Sequence, residues 1–142
     1  MKRKILITIL LIIAFCGCMK FLFNPYARIS RYVKNNQGNL RESCEYYLEN
    51  GLTDDTYDNI KIDGIYGDTN KFVQFFWGGV GIAPSSKYYG FYYSPDDVAV
   101  SYYNEYKLTE EKENEWTWKG VGDNGGVTRK ICDYWYYYEA WF

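Results

Sequence analysis

"TRKICDYWYYYEAWF", Thr128 to Phe142, closes the chain and decides how the rest is read. Its dense aromatic content suits a pleated, half-buried surface and predicts one long final strand. Period-2 alternation divides it into two faces. Cys132, Tyr134, Tyr136, Tyr138, Ala140 and Phe142 form a set without a charge, which is expected to seal the core. Ile131, Asp133, Trp135, Tyr137, Glu139 and Trp141 form the other set, with two acids among the rings. Acids are seldom fully buried unpaired, so this second face is expected to look outward or into a cleft. Trp135, Trp141, Asp133 and Glu139 are therefore the candidate ligand-binding residues. The competing reading is that a second layer, such as the "VGIAPSS" segment, covers them.

Upstream, "NPYARISRYVKNNQGNLRESCEYYLENG" predicts an amphipathic helix over residues 24–51. Asn24 suits the N-cap, Pro25 the first helical position and Gly51 the C-terminal stop. Ile29, Tyr32, Val33, Asn36, Leu40, Cys44, Tyr47 and Leu48 follow 3-4 spacing and mark its inner face. Gly38 weakens the middle by ~1 kcal/mol relative to Ala, enough to raise the question of two shorter helices.

After the polar "TDDTYDN" the pattern turns to short strands: Ile60–Asp68, Lys71–Gly79, Lys87–Asp97, Val98–Leu108, Glu115–Gly120 and the final one. "TEEKENE" reads as a charged turn. Helix first and strands afterwards is an α+β order. Short connections favour an antiparallel sheet of five or six strands over residues 52–142, with the helix against one face.

The first 23 residues read differently. "MKRK" followed by "ILITILLIIAF" is a basic region and an apolar one, the grammar of export. It supports an uncleaved signal or transmembrane anchor spanning Ile5–Phe23, a lipoprotein signal with Cys18 acylated, or simple cleavage and secretion. Phe15 departs from the aliphatic residue usual three before a lipidated Cys. All three readings put the bulk of the chain on the extracytoplasmic side of the cell membrane. In that oxidising setting Cys44 and Cys132 form an even pair, for which a disulfide competes with two small buried thiols.

Composition narrows the function classes. Residues 1–20 carry a charge of +4, residues 21–50 +1 and residues 51–142 −7, so the domain is acidic and nucleic acid is a poor partner. There is no His, which excludes Ser-His-Asp and Cys-His catalysis and His-ligated zinc within this chain. No cofactor is implied. "GDNGG" (Gly122–Gly126 with its two polar residues) reads as a hairpin turn rather than a Ca²⁺ or phosphate loop. Asp96 and Asp97 in "SPDD" read as turn formers. Trp77, Trp116, Trp118, Trp135 and Trp141 are the richest pool of contact surface.

The combination "GIYGD", "PSSKYYGFYYSPDD", "DNGG" and "DYWYYYEAWF" behind a short N-terminal anchor resembles a family of small uncharacterised membrane-anchored proteins of Firmicutes. The resemblance spans about residues 25–142 and implies an extracytoplasmic domain without assigned catalytic residues. The expectation is a membrane-tethered α+β domain that binds or interacts with a protein or carbohydrate and carries no catalysis. Its alternatives are a sugar-binding or glycosidase-like protein using Asp or Glu with Trp, and an inhibitor or immunity-type protein.

Overall fold

The structure is a computed structural model, and it describes residues 24–82 and 85–142. The anchor readings, including the Ile5–Phe23 span and the acylation of Cys18, fall on residues 1–23 and lie outside the described residues. Among the described residues no helix is long and apolar enough to cross a membrane.

One helix, α1 (Pro25–Asn50), opens the domain. The Asn24 side chain accepts from the Ala27 amide at 3.4 Å, and Pro25 gives up no intrahelical bond because the first N–H groups have none. At the far end Gly51, at φ 83°, donates its amide to the Tyr47 carbonyl at 2.8 Å. Gly38 is exposed and does not divide the helix. Ile29, Val33, Leu40, Cys44 and Tyr47 are buried, as the 3-4 spacing requires.

Eight antiparallel strands follow: β1 (Thr56–Tyr57), β2 (Ile60–Tyr66), β3 (Phe72–Ile82), β4 (Ser85–Tyr93), β5 (Thr109–Lys112), β6 (Glu115–Lys119), β7 (Gly125–Cys132) and β8 (Trp135–Trp141). They form one sheet in the order β1-β2-β3-β4-β8-β7-β6-β5. Two four-stranded meanders thus meet at the β4–β8 seam. The outermost strands are modest: β1 has two residues, and β5 is "TEEK", exposed throughout.

The α+β class and the antiparallel sheet match the sequence reading; the strand count does not. Besides the two-residue β1 inside the polar "TDDTYDN" segment, which pairs with β2, three local corrections account for the difference. The closing stretch is not one strand but the hairpin β7–β8. The ladder bulges after Lys130, and Tyr134 at φ 70° turns the chain. The charged "TEEK" supplies the edge strand β5, where solvation on both faces suits charge. Val98–Leu108 is not a strand at all. It is a strap with a single 3₁₀ turn at Tyr102–Asn104, in which Tyr103 sits at φ 54° and Asn104 at φ 58°.

That strap explains why both faces of the sheet are apolar. α1 lies on one face, over β3, β4, β7 and β8, and seals Ile29, Val33, Leu40 and Cys44 against Val73, Phe75, Phe91, Ile131, Trp135 and Tyr137. The strap lies on the other face, where Val100 and Tyr102 cover Phe72, Tyr92, Trp118, Tyr136, Tyr138 and Ala140. Two glycines make room for large rings on this second face. A Cβ at Gly90 would overlap the Phe75 carbonyl and the Tyr138 ring, and one at Gly126 would overlap the Trp118 indole.

Asp97 pins the strap down. Its carboxylate accepts from the Tyr134 amide at 2.8 Å, from the Tyr136 hydroxyl at 2.9 Å and from the Lys130 ammonium. Its carbonyl accepts from the same Tyr136 hydroxyl at 2.7 Å. Burial opposes ionisation of Asp97, but these donors outweigh it and hold the carboxyl below its ordinary range. Farther along, Tyr92 accepts from the Val100 amide at 2.8 Å, and Thr128 donates to the Val100 carbonyl at 2.8 Å.

Cys44 and Cys132 are free thiols, so the disulfide reading is not met. Cys44 is sealed under α1, while the Cys132 sulfur points to Gln37 Oε1 at 3.7 Å. Burial pushes both thiols above their ordinary range.

Candidate functional site

The four residues proposed from the last strand do not act as one surface. Trp135 is 1% exposed, packed beneath α1 against Phe91 and Tyr93 with ring centroids at 6.0 and 5.0 Å. It is a core residue, which corrects its assignment as a ligand contact. Asp133 stands in the β7–β8 turn with its side chain 84% exposed, 3.5 Å from Lys130. Only Glu139 and Trp141 remain together, past the point where α1 begins. The second face was expected to look outward because it carries acids. The acids instead lie beyond the helix at either end, and the rings between them are covered.

The surface that Glu139 and Trp141 share is set by strand register. Val80 pairs with Lys87, Lys87 with Trp141, Trp141 with Gly125, and Gly125 with Lys119. This row crosses five strands and marks one end of the sheet on the α1 face. One step inward lies a parallel row of Tyr89, Glu139, Val127 and Thr117. The first turn of α1 stops beside it. Tyr26 meets Tyr137 edge-on at 5.2 Å, and the Arg129 guanidinium sits 5.4 Å from the Tyr26 ring.

Lys87 organises the centre. Its ammonium lies 2.7 Å from Glu139 Oε1 and 5.6 Å from the centroid of the Trp141 ring. The hydrogen bond to Glu139 raises the Lys87 pKa, so the ammonium stays charged. The Tyr137 hydroxyl donates to the other Glu139 oxygen at 3.0 Å. Glu139 is thereby held in place with both oxygens engaged.

Two shallow grooves flank this centre. One, of about 460 Å³, runs along the β6–β7 turn and is lined by Thr117, Lys119, Asp123, Asn124, Gly125 and Trp141. Gly125 lets the Trp141 ring approach closely, since a Cβ there would stand 3.0 Å from it. The turn is the hairpin expected from "GDNGG": Gly122 takes φ 67° and the Gly120 amide donates to the Asn124 carbonyl at 2.9 Å. The other groove, of about 470 Å³, lies between the start of α1 and the β3–β4 hairpin, with Pro25, Arg28, Trp77, Val80 and Tyr89 on its walls.

The remaining half-buried carboxylates are tied. Glu115 is paired with Arg129 and, at 3.3 Å, with Lys112. Asp63 lies 3.4 Å from Lys61 and accepts from Gln74 Nε2 at 3.2 Å. Among the described residues no three His, Cys, Asp or Glu side chains are grouped to hold a metal ion. Asp133 and Glu139 do not converge either: Trp135 to Glu139 alone is roughly 13 Å of strand, and Asp133 lies beyond Trp135. A glycosidase pair requires carboxyl groups about 5–10 Å apart.

No family model, curated protein or solved structure matches the chain. The site is therefore read from its own chemistry. Sequence reasoning found Trp141 and Glu139, counted Trp77 in the tryptophan pool and allowed the basic first turns around Arg28 a contact with anionic headgroups, but it missed Lys87 and Tyr89 and did not bring these residues together. Their approach depends on the pairing of β4 with β8, and nothing local in the sequence specifies that pairing. One signal was legible: "VGI" at Val80–Ile82 and "GVG" at Gly120–Gly122 put apolar residues into hairpin tips.

Proposed function

We propose that this is a non-catalytic binding domain, carried outside the cytoplasm on a membrane anchor within residues 1–23. The observation that carries the reading is the end of the sheet around Trp141. There half-buried rings and a fixed Lys87–Glu139 pair lie open on a sheet whose central strands are otherwise roofed on both faces. The half-buried carboxylates at this end and elsewhere already have cationic or hydrogen-bonding partners, which suits recognition better than proton transfer. The resemblance to small membrane-anchored proteins of Firmicutes belongs to the same reading.

The test combines fractionation with surface labelling. The full chain is expected in the membrane fraction after a high-salt wash. It is expected to react with an impermeant amine reagent on intact cells whose outer layers admit it. Cys18→Ala abolishes incorporation of labelled fatty acid if the anchor is a lipoprotein signal. Retention in the parent without label selects the signal anchor. Recovery of the protein in the soluble cytoplasmic fraction would refute the proposal.

Carbohydrate binding is the second reading, favoured by the Trp141 groove, where an indole wall stands beside a hydroxyl, an amide and a carboxylate. Retention on a glycan column that is lost in Trp141→Ala would establish it.

A further inference from the structure

The open end of the sheet coincides with the place where the chain arrives from its apolar N-terminal segment. Asn24 caps α1, and the next residue, Pro25, already lines the groove with Arg28, Trp77, Val80 and Tyr89. The two most exposed large aliphatic residues of the described chain are at this same end. Val121 is 90% exposed and Val80 is 63% exposed. Val80 belongs to the terminal row of paired residues, and Val121 lies two residues past Lys119, at the other side of that row.

These features fit a particular occupant. Exposed aliphatic side chains on hairpin tips are unfavourable in water and favourable in the outer part of a bilayer. Half-buried Trp and Tyr are the residues that settle at a membrane–water boundary, where a ring is apolar and its polar atom stays wet. Arg28 and Lys119 are exposed there as cations that reach headgroup phosphates, while Lys87 stays paired with Glu139. Asp123 and Glu111 stand in the Trp141 groove as well, so the end is not strongly cationic. The attraction is therefore interfacial burial rather than charge alone. A second copy of the chain fits less well, because two separated tips present points and not a flat self-complementary patch.

We infer that this end of the sheet rests on the phospholipid surface, with Val80 and Val121 entering the interface and Trp77, Tyr89 and Trp141 at headgroup depth. The inference rests on the tethered reading above and gives the site its partner. It also sets the orientation of the domain. The Asp133 turn and the later turns of α1 then point away from the bilayer.

The test uses the full chain in phosphatidylcholine vesicles whose acyl chains carry bromine near the glycerol end. All five Trp belong to the domain and none to residues 1–23, so any quenching by bromine reports on the domain itself. The expected result is quenching of the Trp77 and Trp141 emission. The double variant Val80→Asp, Val121→Asp is expected to abolish it while staying in the vesicle pellet with unchanged near-ultraviolet circular dichroism. The substituted sites are exposed, so folding is not at stake. Absence of quenching in a parent protein that sediments with the vesicles overturns the inference and leaves the tether standing. So does quenching that the double variant retains, or efficient cross-linking between copies without quenching. Recovery of the parent in the supernatant overturns the tether and this inference together.

Discussion

Trp135→Ala separates a core residue from a ligand contact. Trp135 is 1% exposed, with Phe91 and Tyr93 as ring neighbours and α1 above it. Truncating a buried Trp to Ala costs about 3–5 kcal/mol, from lost transfer energy and the cavity left behind. The lower part of that range applies if α1 settles into the gap, the upper part if the sheet holds it open. A domain of this size commonly has about 5–15 kcal/mol of total stability, so the loss takes a large share of it. With a urea m-value of about 2 kcal/mol/M, the unfolding midpoint falls by about 1.5–2.5 M. The assay is urea denaturation of the full chain in mild detergent, followed by far-ultraviolet circular dichroism, with the slope checked for constancy. Asp133→Ala, in the exposed turn, is the control and shifts stability by no more than about 0.5 kcal/mol. A Trp135 variant that loses less than about 1 kcal/mol would refute the placement of this residue under the helix.

Three further outcomes follow from the packing. Gly90→Ala introduces a Cβ between the Phe75 carbonyl and the Tyr138 ring and is expected to cost about 1–3 kcal/mol by overpacking, read as a lowered melting temperature. Asp97 has a depressed folded pKa, so its contribution is complete above the unfolded value of about 3.9 and is lost as pH falls through the lower folded value. Melting temperatures measured down through that window should drop in the parent, and Asp97→Asn should remove that part of the pH dependence. Cys44 should be inert to a thiol reagent until the protein unfolds, and reductant should leave the melting temperature unchanged. Loss of stability on reduction would restore the disulfide.

The sequence is legible wherever local physics decides the structure. The spacing from Ile29 to Tyr47 marked the buried stripe of α1, and Asn24, Pro25 and Gly51 marked its ends. The "GDNGG" turn was legible because glycine at positive φ has few other uses. The structure departs from the local signal where a distant element decides. Alternation in Trp135–Trp141 correctly separated two faces, but acids at Asp133 and Glu139 made one of them look wet. Glu139 is instead satisfied by Lys87 and Tyr137, and Asp133 sits in a turn that aromatic density concealed. The strap at Val98–Leu108 has strand-like composition because it, too, must cover a sheet face, and composition does not distinguish covering from pairing. The candidate site was half legible for the same reason. Trp141 and Glu139 share a strand, whereas Lys87 and Trp77 reach them only through the β3–β4–β8 ladder.

The two margins of the sheet bear on how copies of the domain behave when crowded. A broad antiparallel sheet normally leaves two rows of unpaired amides and carbonyls, which recruit any strand that drifts past. Here one margin is β1, too short to template more than a contact or two, and the other is the wholly solvated "TEEK" of β5. Glu110 and Glu111 on that strand bring like charge against like when two such margins approach. Copies brought close together, in solution or side by side on the proposed tether, would therefore meet without fusing their sheets.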